Sequence, residues 1–207
     1  MDETHSSIKK GRKYAQVIEG ARTVFLRDGF EGASVDDIAR EAKVSKATLY
    51  SYVPDKRVLF LEVAGLEATR QADAFTERMD ENQPPHVLLP SAGRKILDFL
   101  LSDFGTAVYR IAVAESLRFP EVAQRFYESG PGLVQKRLSQ YLAIATARGE
   151  LVIEDIELAA EQFAELCKVR LVPMRIFQMV HDIDEAQKQE IVDSAVAMFL
   201  ARYGASR

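Results

Sequence analysis

The residues best suited to do chemistry lie between Ser34 and Lys56, in the stretch SVDDIAREAKVSKATLYSYVPDK. Two short amphipathic helices are written there. Ser34 reads as the N-cap of the first, with Asp37 three residues on in the pattern of a capping box, and with Val35, Ile38, Ala39 and Ala42 as its apolar side. Ser45 reads as the N-cap of the second, which runs to about Tyr52 and packs through Leu49. A break at Lys43–Val44 separates them, and the small Ala39 and Ala42 permit a close crossing. This is how a helix-turn-helix is written. The second helix presents Lys46, Ala47, Thr48, Tyr50, Ser51 and Tyr52, groups that suit a polar groove rather than a core. Thr and Ala touch a thymine methyl, hydroxyls reach a base edge or a phosphate, and Lys reaches guanine or phosphate. Backbone N–H groups at Ser34 and Ser45 suit phosphate oxygens, and Lys56 opens the next helix where it would grip the backbone. On pattern alone, the same two helices also fit a bundle that binds no nucleic acid.

Other chemistries find little support. The chain has one cysteine, Cys167, so a disulfide framework and a multi-thiolate metal site are excluded. His5, His86 and His181 are far apart. There is no metal-ligand cluster, no Gly-rich phosphate loop and no persuasive triad, so no catalytic residue, metal or cofactor is expected. A lone mid-helix Cys167 reads as a small core residue. No run of eighteen apolar residues and no N-terminal apolar stretch is present, so neither a membrane span nor a signal peptide is expected, and the expected setting is cytoplasmic.

The elements that must position these residues are helical throughout; no convincing alternating strand pattern occurs. A helix over 10–28 carries Tyr14, Val17, Ile18, Ala21 and Phe25 on one face and ends at Gly29. Asp55 caps a long helix of roughly 56–80, and the proline-bearing stretch 81–91 reads as a connector. Further helices follow: Pro120 sits at the N1 position of one, Gly149 closes another, Asp155 caps one running to about Val172 and ended or kinked by Pro173, and the last begins near Asp182 or Asp184. The expected fold is all-α, about nine or ten helices: a three-helix head over 1–55, a connecting helix over 56–80 and a larger helical bundle over 81–207.

Net charge needs the same division. The whole chain is −4, which on average argues against a nucleic-acid binder. Between Ile8 and Arg57, however, eleven cations face seven anions, a local +4, while the first seven residues carry −2 and the remainder −6. Counterion release needs cations at the DNA surface, not a basic protein. The KKGRK run over 9–13 reads either as an arm laid along phosphates or into the minor groove, or as a solubilising tail.

Residues 10–65 resemble the DNA-binding head of TetR-like transcriptional regulators. The family's first helix ends phenylalanine-x-x-x-glycine-aromatic, here Phe25 through Gly29-Phe30. Ser34 with Ile38-Ala39, then Ala42-Lys43-Val44-Ser45, then Thr48-Leu49-Tyr50 through Lys56 follow in register. Two positions depart from the pattern: Lys43 stands where the turn is usually glycine, and Val53 where an aromatic usually precedes the proline. The resemblance implies that Lys46, Ala47, Thr48, Ser51 and Tyr52 face bases and that Ser34, Ser45, Tyr50 and Lys56 face phosphates; the side chain of Lys43, standing where the family has glycine, is expected from its own chemistry to add a phosphate contact.

Residues Ala112–Phe163 resemble the AefR-like branch of TetR-type C-terminal domains, through Ala-Glu-Ser-x-Arg-Phe-Pro-Glu at 114–121, Arg-Phe-Tyr-Glu at 125–128, Gly-Pro at 130–131, Arg-Gly-Glu-Leu at 148–151 and Ala-Ala-Glu-Gln-Phe at 159–163. Such domains bind effectors and dimerise. Candidate effector contacts are the polar Arg110 and Glu115 with the aromatic Phe75, Phe99 and Tyr109, and, further on, Phe126, Tyr127, Tyr141 and Phe163. Aromatics at helical spacing also fit plain core. Candidate dimer residues on the last helices are Ala160, Ala164 and Leu171, then Ile191, Ala195, Met198 and Phe199; these faces also fit packing within one subunit. The function expected is a homodimeric repressor released from a palindromic operator by a small, largely apolar molecule. An all-helical protein-binding adaptor is the alternative, and it calls for a clustered apolar patch on the recognition helix, which residues 45–52 do not offer.

Overall fold

The computed structural model describes residues 12–78 and 80–205, the side chains of Arg12, Gln71 and 75–78 excepted. The side chain of Phe75 and most of the KKGRK run therefore lie outside what is described. Eleven helices are found among the described residues: α1 Arg12–Gly32, α2 Val35–Glu41, α3 Lys46–Tyr52, α4 Lys56–Arg78, α5 Pro85–Leu101, α6 Asp103–Glu115, α7 Pro120–Ser129, α8 Pro131–Ala147, α9 Ile156–Leu166, α10 Leu171–Ile176 and α11 Glu185–Tyr203. The only strand-like feature among them is an isolated antiparallel bridge between Leu151 and Gly204. None of these helices is long and apolar enough to cross a membrane.

Contacts divide the chain into two compact units. The first takes in the chain through Glu67 together with 107–126, and the second comprises 68–106 and 127–207. The first unit thus recruits residues from α6 and α7 that sequence places with the larger bundle.

In the first unit, α1 buries Tyr14, Val17, Ile18, Ala21, Val24 and Phe25, the periodic face expected of it. Gly29 ends its regular part at φ 69°, the left-handed conformation glycine adopts freely. The ring of Phe60 on α4 meets Phe25 edge-on at 4.9 Å and Phe30 at 5.2 Å, so α1 and α4 close on an aromatic cluster. Gly20 does something sequence did not reveal. A Cβ there would stand 2.6 Å from the backbone nitrogen of Ala42 and 2.7 Å from its Cα. The close crossing enabled by a small residue is therefore that of α1 with the end of α2.

The second unit is built on Leu88, Leu89, Leu97, Leu142, Val192 and Phe199, among others. The structure reassigns several expected site residues here. Tyr141 and Phe163 are fully buried: Phe163 packs edge-on against Phe199 at 5.3 Å, and the Tyr141 hydroxyl donates to the Gln83 carbonyl at 2.8 Å. Both belong to the core of the second unit. Of the expected dimer residues, Ala160, Leu171, Ile191, Ala195 and Phe199 are buried within their own unit, Ala164 is half-buried, and Met198 alone is exposed. The apolar stripes of α9 and α11 were correctly located but are used up on each other and on α5. Cys167 is fully buried, with its thiol pushed up to about 12 by burial, a core residue as expected.

Helix boundaries move where prolines were read as breaks. Pro84 and Pro85 start α5 instead of extending the connector, and Pro90 lies inside it, leaving the His86 carbonyl without its helical donor. The helix capped by Asp155 ends at Leu166. A tight turn follows, with Arg170 at φ 62° and the Leu171 amide donating to the Val169 carbonyl at 2.7 Å, and Pro173 sits in the first turn of α10. That split adds the eleventh helix. Asp184 and Gln187 form a reciprocal capping box on α11.

Replacing Gly20 with Ala is expected to destabilise the first unit by about 1–3 kcal/mol, the usual cost of overpacking, even though Ala is the better helix former. Chemical denaturation followed by helical circular dichroism checks this; an unchanged or raised midpoint would show that the backbone of α2 yields freely.

Candidate nucleic-acid interface

Each hydroxyl at the helix-turn-helix has a local task. Ser34 Oγ accepts from the Asp37 amide at 3.0 Å and caps α2. Asp37 does not complete a capping box: its carboxylate takes the Ser34 hydroxyl instead of the Ser34 amide, being one methylene shorter than the Glu of the full motif. At the other end of α2, the Val44 amide donates to the Ala39 carbonyl at 3.0 Å and the Lys43 amide to that of Arg40 at 3.1 Å. This is a Schellman closure with Lys43 in the left-handed region at φ 54°. Lysine in glycine's place costs about 1 kcal/mol there. Ser45 then caps α3, its Oγ accepting from the Thr48 amide at 3.1 Å and lying 2.9 Å from the Thr48 hydroxyl. Val53, the second departure from the family pattern, is fully buried and does the work of an apolar plug.

The ten expected DNA-facing residues all reach the surface. Ser34, Lys43, Ser45, Lys46, Ala47, Tyr50 and Ser51 are exposed, while Thr48, Tyr52 and Lys56 are half-buried. Leu49 alone of α3 is buried, seating the helix as its position predicts. Ser51 Oγ donates to the Thr48 carbonyl at 2.7 Å. Tyr52 packs edge-on against Tyr14 at 6.0 Å. Tyr14 in turn donates to Glu62 at 3.3 Å, and burial pushes its hydroxyl up to about 12.

The cations are more committed than sequence suggests. Lys46 Nζ lies 2.6 Å from Asp36 on α2, and Arg40 pairs with Asp37. Lys56 Nζ donates to the Ala33 carbonyl at 2.7 Å and rests 4.4 Å from the centre of the Phe30 ring, so it pins α4 to the α1–α2 corner besides any contact with phosphate. Its neighbours are equally engaged. Asp55 accepts from the Arg57 amide at 2.8 Å, capping α4, and from the Arg57 guanidinium at 2.8 Å and 3.1 Å. Arg57 reaches Glu115 at 2.7 Å, and Arg118 stands 3.7 Å from Asp55. The Arg57 guanidinium, bonded to Asp55, holds that carboxyl below its ordinary range.

Glu115 is thereby corrected. It does not offer a free carboxylate to an effector but closes an ion-pair cluster in the first unit. Tyr109 and Arg110 are exposed and Phe126 is half-buried, also in the first unit; in the second, Tyr127 is exposed and Phe99 half-buried. A polar cleft of about 510 Å³ in the second unit is lined by residues of 94–102 and 181–188, including Arg94, Asp98, His181 and Lys188, and none of the expected effector residues lines it.

Comparisons with known proteins agree with this geometry. Residues 88–205 match the model of the AefR-like transcriptional repressor C-terminal domain, and residues 17–63 match that of bacterial regulatory proteins of the tetR family. The chain belongs to the TetR family. It is a DNA-binding transcriptional regulator, and its relatives are regulators rather than enzymes. The crystal structure of a TetR-family regulator from Mesorhizobium loti superposes with a TM-score of 0.78 at 26% identity, over 94% of this chain and 98% of that one. The flavonoid-responsive regulator FrrA superposes with a TM-score of 0.67 at 32% identity, over 95% of this chain and 100% of that one. The repressor AcnR of Corynebacterium efficiens is 34% identical over 62 residues, which span 30% of this chain and 33% of that protein's length.

Sequence reasoning missed Gly20, Asp36 and the partners of Glu115. A glycine inside a strongly periodic helix was a usable signal for the first; the others join residues across turns, where periodicity says nothing. Replacing Asp55 with Asn keeps a cap but removes the charge. Because the folded-state carboxyl is held low, its contribution is present above the ordinary carboxylate range and is lost as pH falls through the lowered value. The Asn variant is therefore expected to be less stable than wild type near neutrality, with the difference closing as pH falls below the ordinary carboxylate value of about 4. Urea unfolding across that range checks it, and a constant difference would remove the charge from the account.

Proposed function

We propose that this TetR-family regulator is a homodimeric repressor whose α3 helices enter successive major grooves of a palindromic operator and whose second unit takes up a small effector that releases it. The observation that carries the reading is the surface of α3: one buried anchor, Leu49, beneath exposed or half-buried Lys46, Ala47, Thr48, Tyr50, Ser51 and Tyr52. Two-fold pairing of such heads calls for half-sites about one helical turn apart, roughly 34–36 Å, or a multiple of it.

With the inner faces of α9 and α11 spent on the core, the surfaces left for a second subunit are their outer faces, where Leu158, Glu161, Met198 and Ala201 are exposed. The effector is a small molecule with a large apolar or aromatic part; FrrA, a relative that aligns over nearly the whole chain, is described as flavonoid-responsive. An effector acts by differential affinity for two conformers, only one of which presents both heads to adjacent grooves. The setting is cytoplasmic.

Fluorescence anisotropy against duplexes across a salt series tests the reading. Wild type is expected to prefer one sequence and to weaken steeply with salt. Thr48→Ala is expected to relax base preference by about 1–3 kcal/mol at the position it contacts. Lys43→Ala is expected to weaken all sequences alike and to flatten the salt slope by about 0.9. Absence of salt-sensitive, sequence-preferring binding would sink the proposal, and identical profiles for the two variants would sink the division of roles.

A further inference from the structure

Lys46 does not stand alone on α3. Its ammonium is 2.6 Å from the carboxylate of Asp36, in the first turn of α2, and both side chains are more than half exposed, at 54% and 69%. The pair therefore lies in solvent, and it joins the first turn of α3 to the first turn of α2. The neighbouring acid, Asp37, is occupied by Arg40 and by the Ser34 hydroxyl, so neither of these replaces Lys46 on Asp36.

We propose that Asp36 is a specificity-determining residue of the DNA interface, holding the Lys46 ammonium away from phosphates until a base edge takes it over. This rests on the assignment of α3 to the groove. An exposed pair of this kind is worth little in water, so a good DNA partner displaces it readily. The displacement leaves an unpaired carboxylate beside a polyanion. A bidentate contact, such as one to guanine O6 and N7, offsets that repulsion; a single loose phosphate contact in a non-specific complex does not. On unrelated DNA, Lys46 stays with Asp36 and the protein forfeits one counterion-releasing contact. The penalty falls on the wrong sequences, which is how discrimination is built when attraction is common to all of them.

The test uses the full chain and two duplexes roughly 30 base pairs long, enough for half-sites one turn apart. One is selected from a random library by the wild-type protein, and the other is its scrambled counterpart. Asp36→Asn is expected to tighten binding to the scrambled duplex about threefold to tenfold and to steepen its salt slope by about 0.9, as one more cation reaches a phosphate. On the selected duplex the slope is expected to stay as it is, because Lys46 is already engaged. In a Lys46→Ala background, Asp36→Asn is expected to leave the scrambled-duplex slope unchanged. Asp36→Ser, with the charge also removed, is expected to reproduce Asp36→Asn, and thermal melts of all variants separate these effects from loss of fold. An unchanged slope and affinity on scrambled DNA overturns the proposal, as does an equal gain without Lys46. Selection that yields no preferred duplex overturns it too, since there is then no discrimination to set. A wild-type protein that binds neither duplex overturns the assignment of α3 to DNA itself.

Discussion

A helix-turn-helix works only if its two helices are held at one angle, and here that angle rests on α1 meeting the end of α2 with no side chain between them. At Gly20 the backbone of Ala42 comes within van der Waals reach of the bare Cα. The contact fixes where α2 stops. The stop is then closed by the left-handed Lys43 and its two amide bonds, and the chain leaves in the one direction that lets Ser45 cap α3. Leu49 on α3 and Ile38 on α2 are buried beneath that arrangement. The exposed face of α3 is thus the last consequence of a packing event on α1, some distance away in sequence.

Charge on this head is organised rather than merely abundant. A local excess of four cations overstates what is available to a polyanion. Arg22 is bonded to the buried Glu67, Arg27 to Asp28, Arg40 to Asp37, Lys46 to Asp36 and Arg57 to Asp55 and Glu115. Pairs in solvent, such as Lys46–Asp36, contribute little and exchange readily. The Arg22–Glu67 pair, whose carboxylate is buried, is different: removing one partner strands a buried charge. The head therefore has two classes of cation, those that hold helices together and those that DNA can recruit.

Much of this was legible in the sequence because it is local. Caps at Ser34, Ser45 and Asp155 depend on residues three apart, and all three are found; of the two starts that the sequence offers for the last helix, Asp182 and Asp184, the cap is Asp184. The periodic faces of α1, α9 and α11 are buried as the spacing requires. What the spacing does not carry is the partner of each face. Ile191, Ala195 and Phe199 were placed on a dimer interface because their stripe is apolar and rich in small residues, yet the same stripe satisfies α5 and α9 of its own subunit. Glu115 shares a helical face with Val108 and Ile111, a register that places it near apolar neighbours; only the fold reveals Arg57, fifty-eight residues away. Proline was over-read as punctuation, since Pro85 and Pro90 begin and occupy α5 rather than precede it.

The first turn of α4 shows how three consecutive residues can bind three different parts of one unit. Asp55 caps the helix itself. Lys56 holds the Ala33 carbonyl, one residue before the Ser34 cap of α2. Arg57 holds Glu115 at the end of α6. Helical geometry points successive side chains about 100° apart, so a single turn reaches all three only if the helix enters at a fixed rotation. Loss of the Glu115 contact would leave Arg57 bound to Asp55 alone, and the rotation of α4 would then be set by Lys56 and the Phe25–Phe30–Phe60 cluster. Those contacts lie on the side of the α1–α2 corner.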